Sequence, residues 1–488
     1  MVDYNLRLII PEIFLFVWAL FIIVYDLGTR RKQSDQLGYL TMGGLAIAGF
    51  LLYKFQGGIS FNGMFHSDQL AVFFKVIFLG SAFMAVGSSF GITSEKIKNH
   101  RGEYYGLILF STVGMMFLSS AEELISLYIG LELTTIPLYV LAAYYKDNKM
   151  SVEAGLKYLI IGAFSSAILL YGLSLLYGLS GTTDIVTMKI NLSIIFLSKG
   201  KIGAALLLAI VMVVAGIGFK LALVPFHMWA PDVYQGAPTP ITGFLSVASK
   251  AAGVVAFARI FVNGLIAFAD HVMQPLDWGL LVAILAAGAM IIGNITALRQ
   301  KNIKRMLAYS SIAQIGYLMI GMVAVSRLGV ASSGFYMFMY LFSNMGAFAV
   351  ATVIGDRTGS DAISSYAGLS KSSPALAAFM MVFMLSLAGI PPLGGFVGKY
   401  MVFAAGIQAG YNWLVILGLL MAVVSLYYYA NVIRMMYFVP DSDAGASIKA
   451  PVAAKIVLIL GVVGLIIFGI YPEPILKFAL DSAGVFIF

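Results

Sequence analysis

Apolar runs of about twenty residues follow one another along almost the whole of this 488-residue chain. A run of that length crosses the ~30 Å hydrocarbon core of a bilayer as a helix. Barrel strands would alternate apolar and polar residues over short segments, and these runs do not alternate. The chain therefore reads as an all-α polytopic membrane protein, in which each segment satisfies its own backbone hydrogen bonds. A window of about 19 residues gives about fourteen transmembrane helices, at 5–26, 37–56, 69–92, 103–120, 122–145, 152–179, 202–229, 238–262, 278–297, 303–325, 331–355, 373–408, 411–437 and 455–473. Charged residues make up 11% of the chain, against about 25% in an ordinary soluble domain.

The net charge of +8 does not point to nucleic acid, because the basic residues lie in short clusters between the apolar runs. One set of loops holds Arg30, Arg31, Lys32, Lys96, Lys98, Arg101, Lys146, Lys149, Arg299, Lys301, Lys304, Arg305, Arg357, Lys371, Arg434, Lys449 and Lys455; the other holds only Arg7, Lys54, Lys189, Lys199, Lys201, Arg327 and Lys477. The positive-inside rule makes the first side cytoplasmic and places both termini outside. The N-terminus is a poor signal peptide, with Pro11 and Glu12 in its apolar run and no cleavage site, so 5–26 reads as the first span.

With no cysteine, the chain has no disulfide, no thiolate-held cluster and no thiol nucleophile. Its histidines, His66, His100, His227 and His271, are scattered, so no metal site is expected. It also lacks the glycine-rich phosphate loops of ATP- and dinucleotide-binding proteins. No cofactor or redox centre is expected in this chain.

The sixth, seventh and twelfth segments exceed one crossing and must tilt, break or project. Two are interrupted: the seventh by Pro225 near Lys220, the twelfth by Pro391-Pro392-Leu-Gly-Gly before Lys399. Proline removes a backbone donor and clashes one turn back. Broken helices at corresponding places in two halves mark transport sites. The breaks fall in the fourth helix of spans 4–8 and of spans 9–13. This suggests two inverted five-helix repeats, 103–262 and 278–437, after an N-terminal three-helix segment (1–102) and before a C-terminal helix and tail (455–488).

Ionisable residues inside these spans are the main functional signal, since each costs about 2.5–3.5 kcal/mol to insert at bilayer depth. Glu132 is either a neutral carboxyl bonded to Thr134 or Thr135, or a carboxylate that holds a lysine charged. Glu153 and Lys157 stand at i and i+4 in the favourable order; Glu153 lies near the cytoplasmic end and could instead cap its helix. Lys220 sits beside the first break, flanked by Gly216 and Gly218, which admit a close neighbouring helix. Lys250 lies mid-span, as a relay or as half of a structural pair with a carboxylate, and Lys399 follows the second break. Lys75 and Arg259, near span ends, are expected to snorkel to the interface. His227 could pass protons between the seventh and eighth spans or serve only in the loop. Ser310, Ser311 and Gln314 could hold water or join helices.

The stretch from Gly218 through Lys220-Leu-Ala-Leu-Val-Pro-Phe-His-Met-Trp-Ala-Pro-Asp-Val-Tyr to Lys250 resembles the signature of the antiporter-like membrane subunits of respiratory complex I. Lys157-Tyr-Leu-Ile-Ile-Gly-Ala-Phe-Ser-Ser and Ser386-Leu-Ala-Gly-Ile-Pro-Pro-Leu-Gly-Gly-Phe-Val-Gly-Lys399 resemble it too. M-like members carry glutamate where Lys399 stands, and L-like members add a lateral helix after the last span, so the N-like type is the nearest match. The resemblance implies proton translocation through a relay coupled to quinone reduction in other subunits. Glu132 would modulate Lys220, Lys220 would take a proton from the cytoplasmic half-channel, Lys250 would be the central relay, and Lys399 would pass the proton outwards. Lys157 would be an additional family lysine, with Glu153 and His227 secondary. The quinone, FMN and iron–sulfur clusters would belong to partner subunits. The partners implied are the M-, K- and J-like subunits and the lateral helix of the L-like one, in a bacterial inner membrane. A Mrp-type sodium/proton antiporter subunit is the alternative reading. A scaffold whose buried charges only fix helix packing is the third.

Overall fold

The computed structural model describes residues 4–29, 34–90, 97, 100–199, 203–266, 277–440 and 447–486. His271 and the loop cations Arg30, Arg31, Lys32, Lys96, Lys98 and Lys201 lie outside the described residues. The fold is almost entirely helical: α1 (Ile10–Gly28), α2 (Ser34–Lys54), α3 (Gln69–Ser88), α4 (Arg101–Ser120), α5 (Leu124–Ala142), α6 (Lys149–Ser180), α7 (Ile185–Lys199), α8 (Ala204–Leu221), α9 (Trp229–Gly236), α10 (Thr239–Phe244), α11 (Lys250–Phe257), α12 (Trp278–Ala297), α13 (Ile303–Val323), α14 (Arg327–Thr358), α15 (Leu369–Ser372), α16 (Pro374–Ala388), α17 (Gly394–Gln408), α18 (Asn412–Phe438), α19 (Val452–Ile470) and α20 (Glu473–Ala483). Among the described residues, twelve helical stretches are long and apolar enough to cross a membrane. Helix also occupies the other two of the fourteen apolar segments, as α4 and as the pair α16 and α17.

Side-chain oxygens start several of these helices by taking amide protons that have no helical partner. Asp68 accepts from Ala71 N at 2.8 Å, and Asn302 from the amides of Lys304 and Arg305. Both anticipated breaks are present. α8 ends at Leu221 because Ala222 turns left-handed (φ 56°), and the helix resumes at Trp229, whose Nε1 donates to Phe219 O at 3.0 Å. α16 ends at Ala388 because Gly389 takes φ 88°, a conformation glycine adopts without Cβ strain, and α17 starts at Gly394. The sixth segment does not break: α6 is one helix of 32 residues, about 48 Å long, so it must tilt or project.

The eighth segment departs from a simple helix. Two π-helical stretches, Leu245–Ser249 and Ala258–Gly264, bracket α11 and place Lys250 at a change of helical register. α7, α20 and a short hairpin (β1, Ile59–Ser60; β2, Phe65–His66) were not anticipated. α7 and α20 escape a search for long apolar runs because only one face of each is inward: Ile185, Met188 and Leu192 on α7, Ala479 and Ala483 on α20.

The eighth, tenth and eleventh segments, including α13 and α14, are nearly enclosed, whereas α1, α6, α18 and α19 form the outer wall. α14 touches α3, α10, α13, α16, α17, α19 and α20 and is the common strut of the bundle. α6 and α8 approach closely at Gly216, where a Cβ would stand 2.5 Å from that of Leu169.

Lys75 and Arg259 do not snorkel. Both are fully enclosed. Lys75 Nζ lies 2.6 Å from Glu12 Oε1 and over the Phe65 ring. Arg259 Nη1 pairs with Asp68 Oδ2 at 2.7 Å and Glu122 Oε2 at 2.9 Å, and its Nη2 donates to Ser119 O at 2.9 Å. Carboxylates from distant parts of the chain complete these sites, so the cations have no need to reach for the interface.

Candidate functional site

Lys220 is the penultimate residue of α8, so its ammonium stands where the helix dipole favours a cation. It is 3% exposed, and its Nζ donates to Thr135 Oγ1 at 2.5 Å. The Thr135 hydroxyl spends its own proton on Leu131 O at 2.6 Å, so towards Lys220 it is an acceptor. Glu132, on the same helix as Thr135, accepts instead from the Ser166 hydroxyl of α6, and Ser166 also bonds Tyr128 at 2.9 Å. Thr134 bonds Gly130 O, so neither threonine takes Glu132. A cavity of about 10 Å³, bounded in part by Thr135, Ser165, Ser166 and Lys220, lies beside the Lys220 ammonium and the Ser166 hydroxyl; that is close to the smallest space that holds a water.

Lys250 is wholly buried and donates to Ser311 Oγ at 2.6 Å and Ser311 O at 3.0 Å on α13. Lys399 donates to Leu387 O at 2.8 Å and Ala388 O at 3.2 Å, two carbonyls left without helical partners where α16 stops. Its ammonium lies 4.8 Å from the centre of the Tyr317 ring, a cation–π distance. None of Lys220, Lys250 and Lys399 forms an ion pair among the described residues, so the structural carboxylate pair considered for Lys250 is not found. Gln314, one turn after Ser311, donates to the same Leu387 O at 3.0 Å and to Tyr429 OH at 3.0 Å, and it accepts from Tyr336 OH. Tyr429 also bonds Ser310. The polar residues of the tenth span thus bond across α13, α14, α16 and α18, between Lys250 and Lys399.

Lys157 stands apart from this row. It pairs with Glu153 at 2.7 Å and with Asp232 of α9 at 2.8 Å, and Asp232 also takes Arg305 at 2.7 Å. All four side chains are partly exposed. Asp232 went unmarked in the sequence, although it lies within the Trp-Ala-Pro-Asp stretch between two of the buried lysines. Ser166, Tyr317, Tyr336 and Tyr429 were also missed, because hydroxyls in apolar helices are common. His227 sits in the link between α8 and α9, partly exposed beside exposed Met228. On the side of the basic loops, a polar cavity of about 800 Å³ is lined by Lys146, Asp147, Lys301, Lys304, Asp356 and Asp361, among others.

Residues 121–425 match the family model described as NADH:quinone oxidoreductase/Mrp antiporter, TM. The chain belongs to this family. NADH-quinone oxidoreductase subunit N of Desulfitobacterium hafniense is 42% identical to it, over 99% of each chain. The same subunit of Moorella thermoacetica is 43% identical, again over 99% of each. Among solved structures, a chain of respiratory complex I from Thermus thermophilus with bound aureothin is 31% identical, with a TM-score of 0.79 over 96% of this chain and 99% of that one. A chain of the Mrp complex from Dietzia is 18% identical, with a TM-score of 0.83 over 99% and 98%; at that identity it shows the shared fold alone. Family membership covers both halves of the site, from Glu132 to Lys399.

Proposed function

We propose that this chain is a proton-translocating, antiporter-like membrane subunit of an NADH-quinone oxidoreductase, without redox chemistry of its own. One observation carries the reading: Lys220, Lys250 and Lys399 are buried within three membrane-spanning segments, and each is held by neutral oxygens rather than by a carboxylate. A buried lysine held only by neutral oxygens is not locked into a fixed ion pair, and that suits a relay better than a structural role. The Mrp reading has less support, since the relatives named above as subunit N are over 40% identical along the whole chain.

In this reading Lys220, Lys250 and Lys399 exchange protons in turn. Glu132 biases Lys220 through Ser166 and the small cavity that Ser166 and Lys220 both line. Lys157, with Glu153, connects the row to the cytoplasmic surface, and the polar cavity beside Lys301 and Lys304 gathers water there. His227, partly exposed in the link at the break, has the weakest claim. Ten of the fourteen crossings form two inverted five-helix repeats, 103–262 and 278–437, with both termini outside a bacterial inner membrane. The partners are the other complex I subunits; the M-, K- and J-like subunits and the lateral helix of the L-like one are the ones we propose. The quinone, FMN and iron–sulfur clusters belong to those and other partners.

The test is Lys220→Ala in the assembled complex, measuring proton pumping and NADH–quinone turnover in sealed vesicles. Loss of both at normal assembly supports the relay. Unchanged pumping per assembled complex would make Lys220 structural and leave the scaffold reading.

A further inference from the structure

The outer wall of α6 is exposed and apolar along most of its length, as a lipid-facing helix should be. Its first turns differ. A groove of about 470 Å³ runs along this flank, from Lys146 and Lys149 at the start of the helix to Ile160 and Ile161. Val152, Leu156, Ile160 and Ile161 form an apolar floor, and each is more than a third exposed. From Val152 to Ile161 the helix rises about 14 Å, close to the ~15 Å of hydrocarbon in one leaflet of a bilayer.

The mouth of the groove is charged, and its charges are not spent on one another. Glu153 and Lys157, on the wall, pair together, and Lys157 also takes Asp232. Lys146, Asp147 and Lys149 are exposed and form no ion pair among the described residues. Two cations and one anion leave the mouth with a net positive charge. Lys146 and Asp147 also border the polar cavity of about 800 Å³ next to it, so there is room for a hydrophilic head beside the cations.

We propose that this groove binds one molecule of an anionic glycerophospholipid in the leaflet on the side of the basic loops. Its phosphate sits at Lys146 and Lys149, and one acyl chain lies along Val152, Leu156 and Ile160. Basic pockets at the ends of membrane helices take such head groups. An apolar partner helix in the same place would leave both cations without an anion. The bound lipid also covers the Lys157–Glu153 pair, whose side chains are 40% and 62% exposed.

Photolabelling of the whole complex tests the site. The complex, in vesicles of phosphatidylcholine, receives a phosphatidylglycerol with a photoreactive group in its acyl chain, and the labelled peptides are mapped by mass spectrometry. Labelling within residues 152–161 is expected, competed by unlabelled phosphatidylglycerol but not by added phosphatidylcholine. A lysine at a membrane surface strengthens the hold on anionic lipid about fivefold. Lys146→Gln with Lys149→Gln should therefore cut the labelling about tenfold or more. Leu156→Trp, which fills the groove and leaves its charges, should remove most of it. Labelling that phosphatidylcholine competes equally, or that either variant leaves unchanged, would mark ordinary bilayer lipid and overturn the site. No labelling of 152–161 in the assembled complex overturns it as well, since a partner chain such as a lateral helix would then fill the groove. If the double lysine variant fails to assemble, Leu156→Trp and the competition decide. None of these outcomes bears on the lysine relay.

Discussion

Lys220 and Glu132 each bond a hydroxyl rather than each other: Lys220 donates to Thr135 at 2.5 Å, while Glu132 accepts from Ser166. The two hydroxyls come from different helices, α5 and α6. Glu132 and Lys220, which the family resemblance would couple, therefore make no direct ion pair, and a water-sized cavity lies beside Ser166 and Lys220.

Breaking one side of that arrangement has a directional consequence. Thr135→Val removes the acceptor of a buried ammonium, at a cost of about 1–3 kcal/mol. Lys220 then turns to Glu132 as its only strong partner. The expected outcome is an assembled complex with several-fold slower pumping. Ser166→Ala in the same background frees Glu132 further and deepens the loss. Quenching of a pH-sensitive dye in vesicles, against NADH oxidation by the same preparation, measures both.

Lys220→Arg separates charge from proton exchange, since arginine keeps its charge at any physiological pH. Normal assembly with pumping below about one tenth is expected for a group that must release its proton, a loss of at least ~1.4 kcal/mol in transition-state terms. Normal pumping would rule out proton exchange at this position.

The enclosed clusters near the outer ends of the spans make opposite predictions. Arg259→Met leaves Asp68 and Glu122 unpaired, and breaking such a site costs about 3–5 kcal/mol. Assembled complex should fall sharply. The double substitution Glu12→Leu with Lys75→Leu removes a whole buried pair and should be close to neutral. Thermal melting of the detergent-purified complex compares the two directly.

Asp232→Asn probes Lys157. Asp232 and Lys157 are more than a third exposed, and Arg305 is 28% exposed, so loss of these ion pairs should cost only about 0–1 kcal/mol of stability. If Lys157 feeds the relay, pumping should fall about threefold or more while the melting temperature hardly moves. A fall in both together would mark a purely structural cluster.

Most of the architecture was legible because hydrophobic length is a local property. Each of the fourteen apolar segments coincides with helix, and Pro225 and Pro391-Pro392 marked both breaks. The buried lysines were legible for the same reason: a cation inside an apolar run needs no partner to be conspicuous. What escaped was everything set by distant contacts. Glu132 chose Ser166, 34 positions away, over its neighbours Thr134 and Thr135. Lys75 and Arg259 stay buried because Glu12, Asp68 and Glu122 meet them only after folding. The π-helical turns around Lys250 left no sign in composition, and the one-sided faces of α7 and α20 are too short for a hydropathy window.

Lys220, Lys250 and Lys399 come from three different membrane-spanning segments and are held by groups on helices packed beside them. A unit charge crossing a 100 mV potential gains or loses about 2.3 kcal/mol. If the three lysines form the proposed relay, a proton handed from one segment to the next moves sideways between helices, and the membrane voltage would act mainly on the steps that load and unload the row.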